Sequence, residues 1–588
     1  MDHKHQSSGP VALHSRKQHK LDGLDKIEVE GVTVANDPHS KYENQAELVR
    51  VPERLHLGYF STVNLCLNKI VGTGIYVSPS VVLGATESKG ISLMLWLVGC
   101  FVTWGGLYIY LEYGLRWPLT GGELHYVDKV YTKPIRLFTY MFASMVVLVG
   151  GVQANALTFG REVILAGADA TAPVNTNLQK LFAILIVTFV CQLQAYSRSI
   201  YIRVSNVLAI IKVSSLVFVS ICGLIALAGV RRHSTAFINT SYGTVNLTHI
   251  FSTRAESPYA YSLALLNVMR AFLGYENANL VLEEVRTGPD NDPRRTFRRA
   301  ISISVVIVCF LYMTTNVAFF TACTTEEILT SPETLALFLE KVFGISKHAH
   351  TASSIVVSLS AAGAIMSLTF AYVRVKQEIG RMGLLPIPEF WSKTSHRRTP
   401  AHALLLHWIF SVICIIATPL ESSQGFLVMS TFYSYIHTWI SILLGCGLLC
   451  APWLSCFKDR DGDGWKSQSS KLGYGLLAPL TMVYVCANAF VLVFSFFPPQ
   501  TNGSPNRKGQ IISALAGPIA GHSILAFGAL WWTWDRKILP SIGYHFKASD
   551  GEIAYSEIWK ADTLKVTFTV SANSMDIAIL TGVSLRES

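Results

Sequence analysis

The stretch Ile70-Val71-Gly72-Thr73-Gly74-Ile75 lies midway through an apolar run from Leu57 to Gly84, with two glycines and a hydroxyl where a plain membrane helix carries leucines. Backbone N–H and C=O groups inside a bilayer must find partners within the protein, so a helix interrupted there persists only where it is buried or lines a polar cavity. The hexapeptide therefore predicts a broken span and a candidate binding site.

The rest of the chain supports a membrane setting. Its 588 residues are 51% hydrophobic and 15% charged, with a mean hydropathy of +0.38. That is too few charges and too many apolar runs for a soluble globule. Runs of the roughly 20 residues needed to cross a bilayer fall near 57–84, 91–115, 136–166, 179–197, 204–229 and 259–285. Six more fall near 300–323, 351–375, 401–418, 425–450, 473–497 and 510–534. The expectation is an all-α polytopic protein with 12 transmembrane helices. Residues 1–56 form a polar N-terminal tail, 57–534 the twelve-span domain and 535–588 a C-terminal tail.

Charge orients the spans. With the N-terminal tail inside, the inner loops hold Arg198, Arg203, Arg286, Arg294, Arg295, Arg298, Arg299, Arg374, Lys376, Arg381, Arg397, Arg398, Lys458, Arg460 and Lys466. The outer loops offer mainly Lys89, Arg231, Arg232, Lys341, Lys347, Arg507 and Lys508, so the positive-inside bias puts both termini in the cytoplasm. Three glycosylation acceptor tripeptides, beginning at Asn239, Asn246 and Asn502, fall in loops that this topology places outside. The net charge of +10 is dispersed over loops, which argues against a nucleic-acid surface. Residues 1–56 lack the apolar core of an export signal. The eleven cysteines include no CxxC pair and read as small packing residues, pointing to neither a metal site nor a disulfide framework.

The tail lysines Lys17, Lys20, Lys26 and Lys41 are accessible for modification, and regulated turnover there would bring in ubiquitin-ligase adaptors. Asp459-Arg460-Asp461-Gly462-Asp463-Gly464 copies the start of a calcium loop but has Ser470 where a bidentate glutamate belongs, so it reads as a polar turn.

A second interruption gives the first its meaning. Arg270-Ala271-Phe272-Leu273-Gly274-Tyr275-Glu276-Asn277 breaks the sixth run, the counterpart of the first in two five-span halves, about 57–229 and 259–450. Residues 473–534 then supply spans eleven and twelve. Helix N-terminal N–H groups at Gly72, Thr73 and Gly74 suit a carboxylate. Carbonyls at Ile70, Val71, Phe272 and Leu273 suit an ammonium. Together they form a site for the backbone part of an α-amino acid.

These motifs resemble the amino acid–polyamine–cation (APC) superfamily of transporters, and within it the L-type branch that includes fungal high-affinity methionine permeases. Gly72-Thr73-Gly74-Ile75-Tyr76 with Pro79 is similar to the family's G-S/T-G-I-F…P signature. Glu112 with Pro118-Leu119-Thr120-Gly121-Gly122-Glu123 resembles its E…P-x-S/T-G-G element. Gly274-Tyr275-Glu276-Asn277-Ala278-Asn279 with Glu283-Glu284-Val285 resembles the fungal G-W/Y-E-N-x-N…E-V pattern. Arg374-Val375-Lys376-Gln377-Glu378 with Gly383-Leu384-Leu385-Pro386 matches the end of the eighth span. The likeness runs from about residue 55 to 535.

The resemblance implies a LeuT-type 5+5 inverted repeat with discontinuous helices 1 and 6, and substrate contacts at Ile70, Gly72, Thr73, Gly74, Phe272, Leu273 and Gly274. Arg270 departs from it, standing where L-type relatives place a bulky aromatic gate. It pairs with Glu276, meets the substrate side chain or faces a vestibule. The loop Thr287 to Pro293 is longer than the usual turn. In sodium-independent relatives a lysine at the position of Lys212 replaces a sodium ion, so Lys212 is expected to hold the span-one break and to share in proton coupling. Glu276 is a second group for the coupling proton.

The expected function is import of neutral, methionine-like amino acids across the plasma membrane by alternating access. A proton is the coupling ion and no cofactor is expected. The rivals are an amino acid exchanger and an amino acid-sensing receptor. A disulfide-linked partner subunit is not expected, because Ala166 to Leu178 holds no cysteine. No enzyme constellation such as HExxH or GxSxG is visible.

Overall fold

The computed structural model describes residues 57–167, 174–229, 242–285, 293–331, 333–344, 347–395, 397–420, 423–457, 467, 474–498 and 507–538. The first apolar run is divided into α1 (Tyr59–Ile70) and α2 (Gly74–Thr86). Next come α3 (Lys89–Arg116), the short α4 (Glu123–Val130), α5 (Leu137–Leu148), α6 (Gln153–Gly167), α7 (Thr176–Tyr196) and α8 (Arg198–Leu227). Then α9 (Pro258–Phe272) leads into a 3-10 segment, Tyr275–Glu284. The chain continues through α10 (Pro293–Ala322), α11 (Thr325–Thr330), α12 (Thr334–Phe343), α13 (Lys347–Arg381) and α14 (Pro388–Ser392). It finishes with α15 (Ala401–Ala417), α16 (Ser423–Leu449), α17 (Tyr474–Phe494) and α18 (Arg507–Thr533). Among the described residues no strand forms, and a single parallel bridge joins Leu57 to Val285.

Nine helices among the described residues, counted across short interruptions, are long and apolar enough to cross a membrane. Three more predicted runs appear as shorter helical pieces: α9, α15 and the Tyr433–Leu449 part of α16. The chain is thus a multi-pass membrane protein, helical throughout its described spans.

The third run, predicted as continuous over 136–166, is in fact interrupted between α5 and α6. Gly150 and Gly151 take φ of 60° and 69°, a left-handed conformation that only glycine adopts freely. A Cβ at Gly150 would also come within 3.2 Å of the His407 ring.

Small residues let the helices approach closely. On α3, a Cβ at Gly99 would come within 2.3 Å of Val268, and one at Gly106 within 2.1 Å of the Tyr275 hydroxyl. The α3 helix therefore lies directly against α9 and the 3-10 segment. The central post is α13, with 83% of its apolar window inside the protein, against 33% for α7. It packs on α6, α1 and the 3-10 segment, so both interruptions are held against one rigid element.

Candidate functional site

The α1 helix stops at Ile70, and Val71 turns the backbone with φ −76° and ψ 72°. The chain resumes at Gly74 with Thr73 as N-cap, leaving Val71–Thr73 outside regular helix. The second break mirrors it: α9 ends at Phe272, Leu273 is extended and Gly274 takes φ 149°. A Cβ at Gly274 would sit 2.7 Å from the Ile70 nitrogen, so this glycine lets the two breaks touch. Gly74 is likewise packed on Ala271, 3.2 Å from where its Cβ would be.

Side chains from the surrounding helices take up the carbonyls that each break releases. The Tyr312 hydroxyl of α10 lies 2.7 Å from the Ile70 carbonyl and 3.2 Å from the Ala271 carbonyl, a shared donor to both broken helices. The Ser360 hydroxyl of α13 lies 3.2 Å from the carbonyls of Val71 and Gly72. The Thr73 hydroxyl donates to Asn155 Oδ1 of α6 at 3.2 Å. Each carbonyl has two lone pairs; Ile70 uses both, since it also accepts the Gly72 N–H at 2.8 Å, whereas Val71 keeps one for an ammonium group.

The carboxylate of Glu276 pairs with Lys69, the residue before Ile70, and its other oxygen accepts the Gly274 N–H at 2.8 Å. Both side chains are enclosed, Glu276 at 0% exposure. This corrects the expected pairing of Arg270 with Glu276. Arg270 instead donates to Asn267 Oδ1, at 3.0 Å, one turn back on α9. Lys69 was missed in the sequence, although a lysine inside an apolar run is itself a signal that a partner must exist.

Lys212 of α8 is buried and donates to the Asn68 carbonyl at 2.8 Å, two residues before α1 ends. The Asn68 amide in turn donates to the Ser205 carbonyl at 2.5 Å and to its hydroxyl at 2.9 Å. Gly363 of α13 makes room for this arrangement, since a Cβ there would come within 2.8 Å of the Lys212 ammonium and 2.6 Å of Asn68 Oδ1.

Arg270 and Leu273 line a cavity whose other walls include Thr103, Tyr275, His437 and Tyr484. Ile70, Gly72, Thr73, Gly74, Phe272 and Gly274 are not among its walls. The Phe272 ring is buried, edge-on to Trp96 at 5.8 Å and beside Tyr312 at 5.0 Å, so the expected contact falls to its carbonyl. Its side chain is a packing element, and only its backbone remains for binding.

At the end of the 3-10 segment, Glu284 pairs with Arg374 of α13 and, at 2.7 Å, with Arg198 of α8. The Glu284 carbonyl accepts the Leu57 N–H at 2.6 Å, tying the start of the first broken run to the end of the sixth.

Asn246 does not present a glycan acceptor in this conformation. Its amide is buried and donates to the Thr321 carbonyl at 3.0 Å. Asn239, Asn502, the tail lysines, the loop 287–292 and the Asp459–Gly464 turn lie outside the described residues.

The chain is similar in sequence to known proteins. The model of the family described as amino acid permease matches residues 57–516. The high-affinity methionine permease of Saccharomyces cerevisiae is 27% identical over 517 residues, covering 87% of this chain and 84% of its own length. The low-affinity methionine permease of the same yeast is 25% identical over 510 residues, 85% of this chain and 86% of its own. The cystine/glutamate transporter of Homo sapiens is 29% identical over 367 residues, 62% of this chain and 68% of its own.

Proposed function

The chain belongs to the amino acid permease family and is a transporter, not an enzyme; from that premise we propose that it is a proton-coupled permease importing neutral, methionine-like amino acids. The observation that carries this reading is the meeting of two helix breaks, Val71–Thr73 and Leu273–Gly274, at contact distance. First-turn N–H groups at Thr73 and Gly74 take the substrate carboxylate. The remaining lone pair at Val71, with the carbonyls of Phe272 and Leu273, takes the ammonium.

In this reading the nine long helices and three shorter apolar pieces make twelve spans in a LeuT-type 5+5 repeat. Both termini are cytoplasmic, in the plasma membrane. Alternating access moves the bundle of the broken helices against the rest, with α13 as a fixed post. Lys212 stands where a cation would otherwise hold the end of α1, and its bond to Asn68 supports that role. Lys69 and Glu276 lock the two breaks together so that they move as one. The pair Glu284 with Arg198 and Arg374 closes the inner side. Adaptors of ubiquitin ligases acting on the tail complete the proposal.

A competition panel tests the substrate class. All amino acids are set against labelled methionine uptake at two pH values, and neutral side chains are expected to compete. Competition by basic or acidic amino acids alone would overturn the methionine-like assignment.

A further inference from the structure

Two hydrogen-bonded chains of polar groups converge beneath the cavity that Arg270 lines, and the reading of the break site uses neither. Glu123, the first residue of α4, is at 0% exposure. Its Oε1 accepts the Tyr110 hydroxyl of α3 and lies 3.3 Å from His437 Nε2 of α16. Its Oε2 has no hydrogen-bond partner among the described residues, nor does His437 Nε2 have an aligned one. A buried carboxylate oxygen without a donor is costly. The other face of the imidazole continues the chain, with His437 Nδ1 3.3 Å from the Ser441 hydroxyl. Ser441 accepts the Tyr484 hydroxyl at 2.8 Å, and Tyr484 lies 3.3 Å from the hydroxyl of Tyr275. Tyr275, Tyr484, Ser441 and His437 all reach the cavity wall. Tyr275 directly follows Gly274, so the chain begins at the second helix break.

We propose that the Glu123–His437 dyad is the carrier's proton-binding site, loaded from the cavity through the hydroxyls of Tyr484 and Ser441. The proposal rests on the proton-coupled reading above and locates the proton. In the unloaded state His437 carries its proton on Nε2, facing Glu123, and Nδ1 accepts from Ser441. A proton arriving in the cavity enters the Tyr484 oxygen, which releases its own proton to Ser441. Ser441 does the same to Nδ1, and both hydroxyls end unchanged. The product is an imidazolium against a carboxylate, with Nε2–H now a charged donor to Glu123.

Surrounding charges favour this location over Glu276, whose two oxygens are already occupied by Lys69 and Gly274 N–H. The groups facing the dyad are Lys69 of α1, Tyr110 of α3, Tyr126 of α4, Glu276 and Tyr275 of the 3-10 segment, Tyr372 of α13, Tyr433 of α16 and Tyr484 of α17. Arg270 shares the cavity wall. With His437 neutral, the carboxylates of Glu123 and Glu276 face Lys69. Loading His437 adds a positive charge in electrostatic reach of Glu276, on the broken sixth run. The proton thereby acts on the lock between the two breaks.

The experiment uses the full chain in proteoliposomes and labelled L-methionine as the probe. Accumulation driven by an inward proton gradient is compared with counterflow at equal pH, for wild type, His437→Gln and Ser441→Ala. The expected result is that His437→Gln loses about tenfold or more in gradient-driven accumulation, the size of an ordinary coupling free energy, while counterflow falls much less. Wild-type accumulation that ignores the gradient overturns the proton-coupled reading and the dyad with it. A gradient response in wild type that His437→Gln keeps in full overturns the dyad alone. Should His437→Gln lose counterflow as well, Ser441→Ala decides: lowered accumulation with intact counterflow supports the dyad, and wild-type accumulation at every pH contradicts it.

Discussion

Gly274 and Lys69 carry the most specific claims at the scale of single residues. Gly274→Ala places a Cβ 2.7 Å from the Ile70 nitrogen at φ 149°, so uptake should be lost. The strained backbone alone costs on the order of 1–3 kcal/mol, readable as a lower unfolding temperature in detergent. Lys69→Met leaves Glu276 buried and unpaired, which costs about 3–5 kcal/mol. Adding Glu276→Gln should recover part of that loss, and a double-mutant cycle on thermal stability measures the coupling. The glycines of the first break are legible in the sequence because they flank a hydroxyl inside an apolar run and a second interruption answers them in the sixth run. Lys69 is not, because its partner lies 207 positions away and a lysine beside a break reads locally as a helix flank. Proximity in sequence suggests the pairing of Arg270 with Glu276, and a nearer cation in space displaces it.

Among the elements, the two broken helices are coupled through Tyr312. Tyr312→Phe removes one hydroxyl shared by the Ile70 and Ala271 carbonyls. A loss of about 1 kcal/mol in stability is expected, together with slower uptake. The segment α11–α12 gives a pH control. Burial by itself would raise the Glu327 carboxyl, but the Lys341 ammonium and the Thr324 N–H hold it below the usual carboxylate value. A depressed folded value means that its contribution is complete above the unfolded value of about 4.3 and fades as pH falls through the folded value. Protection against hydrogen exchange in 325–331 and 333–343, taken relative to the intrinsic exchange rate at each pH, should therefore change only under strongly acidic conditions. A change between pH 5 and 7 would contradict this assignment and would leave transport pH dependence without a separate source. The nine long apolar helices were readable from apolar runs alone, and the first and sixth interruptions from composition. The Gly150-Gly151 break was not, because two glycines in such a run also serve helix packing, and only their left-handed φ separates the two uses.

For the whole molecule, the polytopic, all-helical class followed from hydropathy, and family membership followed from four motifs taken together. The site is half legible by the same route. The glycines of the two breaks stand out in the sequence. The surrounding donors, Tyr312, Ser360, Asn155 and Lys69, come from helices far apart in sequence and are ordinary residues within them. The Arg270 cavity is the least legible part, since its walls come from α3, α9, α16 and α17. The central claim is that the paired breaks form a transport site and not merely a binding site. Its most direct measurement is the internal concentration of labelled methionine in proteoliposomes holding the purified chain, with an inward proton gradient imposed. The prediction is accumulation above the external concentration that collapses when the gradient is dissipated. Saturable binding with no internal accumulation, with the gradient intact, would contradict it.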